Sequence, residues 1–382
     1  MQVSRAWSRA AGMFLSQSLS LCMPYRQPSD GENFDTWSEF VEFVLRSPHG
    51  RRRVDTLSIS DVFEDDNEDN LPIPEVDLSS LARLAMTLPK LECIELASVK
   101  LRVTTSQTPL PQFPATLEKF VFDTYGDGNE YTMTEFMDTL LRSLCRVETL
   151  EFSNCVFIPA SQNRPRNIIL PYFPNLCTLV LRGNTGMVHV LKDLASLAID
   201  GHLRVLSEVS LGILSPNDMN WLHRFLVCMN VDLRILTLQL DFQNYHPLDY
   251  GLVKIASCPN LNRLCFIVDH DGVPRADYAA TWGYMARIFQ GLKLHALRTL
   301  TFEYTEAASI EDYEERNVHL PRRAMIELED VWLAMPVISK VAFIPPEWDN
   351  DGAFGERDRS HIQRAFRRLD ALNKLTFYGS RM

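Results

Sequence analysis

The side chains that most often do chemistry are present in this sequence but scattered. Its 382 residues include nine histidines and eight cysteines. No C-x-x-C pair occurs among Cys22, Cys93, Cys145, Cys155, Cys177, Cys228, Cys258 and Cys265, and no histidine cluster stands at zinc-finger spacing from any of them. Asp269-His270-Asp271 is the tightest group of metal-ligand types. A metal needs three or more converging donors held by further hydrogen bonds, so this triplet reads as a polar turn after an apolar run ending near Val268. The stretch TYGDGNE, Thr124 to Glu130, has part of a calcium-loop pattern without the rest and reads as a surface turn. The glycine patterns of phosphate and dinucleotide loops, the H-E-x-x-H helix and the G-x-S-x-G elbow are missing. The residues offer no catalytic constellation, no metal site and no cofactor site.

Most of the cysteines lie inside apolar runs such as LECIEL and LCTLVL. Buried free thiols in a reducing compartment, cytoplasm or nucleus, explain them better than disulfides. The composition is globular, with 46% hydrophobic and 23% charged residues. A net charge of −11 opposes a phosphate backbone, so nucleic acid is not an expected partner. No apolar run approaches the roughly 18 residues of a membrane helix, so no membrane partner is expected either.

What recurs is a frame, L-x-x-L-x-L. It appears as Val54, Leu57, Ile59; Leu91, Ile94, Leu96; Leu117, Phe120, Phe122; Val147, Leu150, Phe152; Leu176, Leu179, Leu181; and Leu206, Val209, Leu211. It continues as Leu233, Leu236, Leu238; Leu261, Leu264, Phe266; Leu297, Leu300, Phe302; Ile338, Val341, Phe343; and Leu372, Leu375, Phe377. The intervals run from 26 residues (Leu91 to Leu117) to 41 (Leu297 to Ile338). The short ones approach leucine-rich-repeat lengths and the long ones need insertions. Pro89, Pro114, Pro174, Pro259 and Pro336 stand just upstream of five copies, where proline ends a helix and favours an extended entry.

Helical stripes alternate with the frames. Trp37, Phe40, Val41, Val44 and Leu45 share one face, as do Phe136, Met137, Leu140, Leu141 and Leu144, and Trp221, Leu222, Phe225, Leu226 and Met229. Thr132 with Glu135 has capping-box spacing, and Ser215-Pro216-x-Asp218 reads as a helix start. A strand–helix unit of about 30 residues cannot bury its apolar stripe alone, but stacked on its neighbours it can. Strands separated by helices pair in parallel. The expected fold is therefore an α/β leucine-rich-repeat horseshoe over residues 34–382, with about eleven repeats, parallel strands on the concave face and helices on the convex face. A doubly wound sheet also alternates strand and helix, but it does not require one frame eleven times.

Such repeats commonly place Asn or Cys three positions after the frame. Cys155 and Asn184 fit, and Asp241, Asp269 and Thr305 are possible substitutes; Val62, Val99, Tyr125, Leu214 and Pro346 do not fit, so irregular turns are expected.

Pleating puts the third, fifth and seventh frame positions on the concave face. Thr149, Glu151, Thr178, Arg182, Glu208, Gln239, Arg263, Thr299 and Glu303 are the candidate partner-binding residues, on a mixed polar surface suited to protein contact. Acidic inserts follow several strands, among them Asp65, Asp66 and Asp69, and Asp312, Glu314 and Glu315. They suggest an acidic rim that steers a basic protein partner, against the plainer reading of solvated loops.

The first residues take their meaning from this array. Val3, Ser4, Arg5, Trp7, Ala10 and Ala11, then Leu15, Leu19 and Leu21, resemble the end of an F-box, where a V-S/C-R-x-W-x-x-A-A helix runs into a strand. The segment FDTWSEFVEFVLRSPHGRRRVDTLSI resembles the helix–strand unit that follows the F-box in many fungal F-box/leucine-rich-repeat proteins. The resemblance implies a substrate-recognition subunit of an SCF-type (cullin-RING) ubiquitin ligase, monomeric, holding a protein substrate on its repeats. Residues 1–21 are then the remnant of an F-box, with Val3 and Trp7 its most telling positions. The front of that motif, which makes much of the contact with a Skp-type adaptor in the family, would precede Met1, so a relative without ligase coupling stands as the alternative. The Arg- and Ser-rich, acid-poor opening also has the composition of a transit peptide.

Overall fold

The computed structural model describes residues 18–23, 36–46, 54–61, 75–102, 113–124, 130–132, 143–144, 146–158, 173–184, 186–229, 232–242, 244–251, 255–269, 275–290, 295–305, 322–335, 337–344 and 356–377. Their fold is mixed α/β, and all their strand pairs are parallel. The chain divides into two compact units, Met1–His189 with His202–Val205, and Val190–Gly201 with Leu206–Met382. Twelve main strands are shared equally between them.

Unit 1 holds β1 (Ser18–Met23), β2 (Thr56–Asp61), β3 (Glu75–Asp77), β4 (Cys93–Ala97), β5 (Lys100–Arg102), β6 (Lys119–Asp123), β7 (Glu130–Thr132), β8 (Thr149–Ser153), β9 (Val156–Ile158) and β10 (Thr178–Arg182). The main order is β1-β2-β4-β6-β8-β10, and β3-β5 and β7-β9 form two short separate ladders. Unit 2 holds β11 (Glu208–Leu214), β12 (Ile235–Leu240), β13 (Arg263–Asp269), β14 (Thr299–Thr305), β15 (Lys340–Ile344) and β16 (Leu375–Phe377), adjacent in chain order.

The last two residues of each frame lie on a strand, all eleven times. Except in the last copy, both are buried. Each contributes on the order of 1.5–3 kcal/mol. The register does not slip between neighbours in unit 1, so Ile94 pairs with Phe120, Phe120 with Leu150, and Leu150 with Leu179. Leu19 and Leu21, read as an alternating strand before the first frame, pair with Leu57 and Ile59 on β2.

The strand entries repeat one hydrogen-bond device. The carbonyl at the second frame position accepts the N–H groups of both the second and third positions of the next frame. Asp55 accepts from Glu92 and Cys93, Glu92 from Glu118 and Lys119, and Glu118 from Glu148 and Thr149. In unit 2, Ser207 accepts from Arg234 and Ile235, Arg234 from Asn262 and Arg263, and Asn262 from Arg298 and Thr299. Pro89 and Pro259 do not act directly on a helix end, as the sequence suggests. Each follows the first residue of a tight turn, Leu88–Leu91 or Cys258–Leu261, where a fixed φ suits the bend.

The helices pack as their stripes require. Trp37, Phe40, Val41 and Val44 of helix Thr36–Arg46 are buried, as are Leu222, Phe225 and Leu226 of helix Met219–Cys228. The latter begins later than Ser215-Pro216 implies, after a 3-10 turn over Pro216–Asp218. Its cap runs through Asp218, whose carboxylate accepts from the Ser215 N–H and hydroxyl, both at 2.7 Å. Residues 133–142, holding most of the second stripe, and Glu135 with them, fall outside the described residues. The final frame departs from the others. Leu372 is 57% exposed and β16 is only half-buried, as befits a strand that, among the described residues, pairs on one side.

The exits from the strands turn through left-handed backbone. Ser98, Asn154, Gly183 and Ile213 stand two residues past the frame with φ of 54°, 57°, 61° and 49°. Asn184 follows and is fully buried. Its side-chain oxygen accepts from the Cys155 N–H at 2.7 Å, and its amide donates to the Phe152 carbonyl at 2.9 Å. Asn184→Leu keeps the bulk and orphans both backbone groups. It is expected to lower stability by roughly 2–5 kcal/mol, read from the urea midpoint. Gly186 has φ of 73°, and a Cβ there would fall on the Phe157 carbonyl. Gly186→Ala is expected to cost at least about 1 kcal/mol by the same measurement.

Candidate functional site

Pleating fixes the direction of every strand side chain, so the third, fifth and seventh frame positions share the sheet face opposite the frame. Register then lines them into rows. In unit 1 the fifth positions read Ser20, Ser58, Glu95, Val121, Glu151 and Val180 from β1 to β10. In unit 2 they read Ser210, Thr237, Cys265, Thr301, Ala342 and Thr376.

All nine candidate partner-binding residues lie on these strands and are half-buried: Thr149, Glu151, Thr178 and Arg182 in unit 1, and Glu208, Gln239, Arg263, Thr299 and Glu303 in unit 2. In unit 1 the strands from β4 to β10 alternate half-exposed and buried residues from end to end. Lys119 reaches Glu151 at 3.3 Å across β6 and β8, a pair open to water and therefore weak.

Unit 2 differs from the expectation of an open polar face. Ser210, Cys265, Ile267, Thr301 and Ala342 are buried, although pleating turns them away from the frame. Among these, Ser210, Cys265, Thr301 and Ala342 are small; Cys265 stands between Arg263 and Ile267, and Ala342 between Lys340 and Ile344, at the third and seventh positions. Sequence reasoning placed these residues on the face but missed their burial. Small residues recur at the fifth position from β11 onward, but size alone was no signal of burial, since Ser20, Ser58, Thr237 and Thr376 are small too and are not buried.

The remaining candidates are only partly placed. Asp65, Asp66, Asp69, Asp312, Glu314 and Glu315, as well as Val3 and Trp7, fall outside the described residues. Asp269 is the last residue of β13, one position beyond the strand end near Val268 that the sequence suggests, and His270 and Asp271 lie outside the described residues. Of TYGDGNE, Thr124 is buried with its hydroxyl donating to the Asn154 carbonyl at 2.5 Å, and Glu130 opens β7. Among the described residues no group of three His, Cys, Asp or Glu side chains is arranged to hold a metal ion. Among them, too, no helix is long and apolar enough to cross a membrane.

Six described cysteines are free thiols. Burial pushes the Cys155 thiol up to about 12 and Cys258 to about 11. Cys93, on the unit 1 face, is raised to about 11 by partial burial and then by the Glu95 carboxylate beside it. These environments hold sulfur protonated, the reverse of what an activated nucleophile needs.

No family model matches the chain, and no curated protein matches it.

The thiols make stability depend on pH in a definite direction. The folded state retains protons that the unfolded chain, whose thiols titrate near 9.0, releases first. Their contribution is full below pH 9 and is lost as pH rises toward 11 to 12. Urea midpoints are expected to hold between pH 7 and 8.5 and to fall steadily above 9. Cys155→Ala, with the packing loss subtracted at pH 7, is expected to flatten the alkaline slope.

Proposed function

We propose that this chain is a non-catalytic leucine-rich-repeat solenoid that binds another protein, with its strands on a concave face and its helices on a convex one. In this reading it is the substrate-recognition subunit of an SCF-type ubiquitin ligase, or a relative truncated in its F-box. The observation that carries the binding reading is the regular sheet face. One frame per strand, with in-register neighbours, presents half-exposed residues of mixed chemistry in rows longer than any small-molecule pocket. Glu95, Lys119, Glu151 and Arg182 lie there beside the hydroxyls of Thr149, Ser153 and Thr178, a surface suited to a folded or extended polypeptide. The free, protonated thiols agree with residence in a reducing compartment, cytoplasm or nucleus.

The ligase half of the proposal rests on the resemblance of residues 1–21 and of the helix–strand unit after them. A stand-alone interaction scaffold is the second reading. It is favoured by the way β1 joins the same parallel ladder as β2, which makes the end of that segment part of the repeat array.

Capture of a Skp-type adaptor separates the two. This chain, or a version extended upstream of Met1 to restore a Leu-Pro segment, is expected to retain the adaptor on a column after washing in 150 mM salt. Failure of both removes ligase coupling and leaves the scaffold.

A further inference from the structure

Two hydrogen-bond donors on the unit 2 face have no partner among the described residues. One is the Thr301 hydroxyl, on a residue that is 0% exposed; the other is Nε of half-buried Arg263. They belong to adjacent strands. Arg263 pairs with Thr299 and Cys265 with Thr301, so both side chains rise from the same face, one strand and one pleat apart. An unmet donor in a buried position costs about 1–3 kcal/mol. Two side by side, on the face read as a binding surface, describe an acceptor that none of the described residues supplies.

The surroundings narrow its chemistry. Lys340 continues the Arg263 row beyond Thr299, which places two cations around a pair of threonines. Glu208 lies two strands away on the other side, and Glu303 stands one pleat beyond Thr301. A guanidinium edge offers parallel N–H groups that match a carboxylate, and a neighbouring hydroxyl adds a further donor. The flanking acids and the net charge of −11 disfavour a dense polyanion. At physiological salt that repulsion fades over about 8 Å, which leaves room for carboxylates spaced along a chain.

We infer that the Arg263–Thr301 patch receives an acidic side chain of an extended protein segment, with the Arg263 stem moving to admit it to the Thr301 hydroxyl. The inference rests on the protein-binding reading and names its partner chemistry: acidic, where the insert composition suggested basic.

The test uses the full chain and labelled ten-residue peptides that alternate serine with glutamate, glutamine or lysine, followed by fluorescence anisotropy. The glutamate peptide is expected to bind about tenfold more tightly than the glutamine peptide. Arg263→Gln is expected to erase that preference, and Arg263→Lys to recover part of it. Thr301→Val is expected to weaken the glutamate peptide several-fold while leaving the urea midpoint unchanged or raised, because a methyl group replaces an unpartnered hydroxyl at equal volume. That stability readout stands even if the arginine variants fail to fold. Absence of a glutamate preference, preference for the lysine peptide, equal binding of inorganic polyphosphate, or a lowered Thr301→Val midpoint would each overturn the assignment. Adaptor capture is read separately, so loss of ligase coupling and loss of this site give different results.

Discussion

In a parallel sheet whose neighbours pair without slip, each side chain lies beside its counterpart one frame away, and everything else in this protein follows from that stacking. The sixth frame position makes it concrete. Phe266, Phe302, Phe343 and Phe377 form a column of stacked rings with centroids 5.6 to 6.2 Å apart. Trp332 packs on Phe302 at 5.3 Å, and Phe366 on Trp332 at 5.3 Å, so helices lean on the same column. The carbonyl at each strand entry, shared between two N–H groups of the next strand, sets the phase of the stack. A slip of one residue would invert every pleat and expose the column.

That constraint acts on backbone before it acts on side chains, which is why the turns vary in chemistry without losing their geometry. Val99, Cys155, Asn184 and Leu214 occupy the same place after their frames, and all are buried. Asn184 satisfies the preceding turn through its amide. Leu214 cannot. There β11 carries a register shift between Leu211 and Leu214, and the Tyr250 hydroxyl lies between the carbonyls of Leu214 and Asp241, at 2.8 and 2.9 Å. A residue 36 positions downstream thus adds a donor to the Leu214 carbonyl, which also accepts from the Asp241 N–H. Burial raises the Tyr250 phenol far above its usual range, so it stays protonated and able to donate. At the end of the chain Glu329 does similar work. Its buried carboxylate accepts from the N–H groups of Arg368 and Leu369 and from the Arg368 guanidinium, tying helix Arg367–Ala371 to helix Arg322–Leu333.

The face opposite the column carries no such obligation, and there the two units diverge. Unit 1 leaves its face half-open, with exposed charges that water largely screens. Unit 2 sinks its central row and leaves donors unmet at Arg263 and Thr301.

The frame residues were legible from sequence because a pleat is local. Leu-x-Leu alternation sends two side chains inward, and reiteration at intervals of 26 to 41 residues leaves connections long enough to return the chain for parallel pairing. The nine face candidates followed from the same alternation. Burial on that face did not, because it depends on the height of neighbours brought together across strands rather than along one. Nor did the left-handed Ser98 and Ile213, residues with no glycine-like signature, or the partnership of Tyr250 with Leu214. The sequence by itself determined which side chains point inward and that the strands run parallel; only the tertiary structure decided which outward ones are covered, which turns are mended from a distance and which donors are left without acceptors, since each of those depends on atoms that the chain brings together only when it folds.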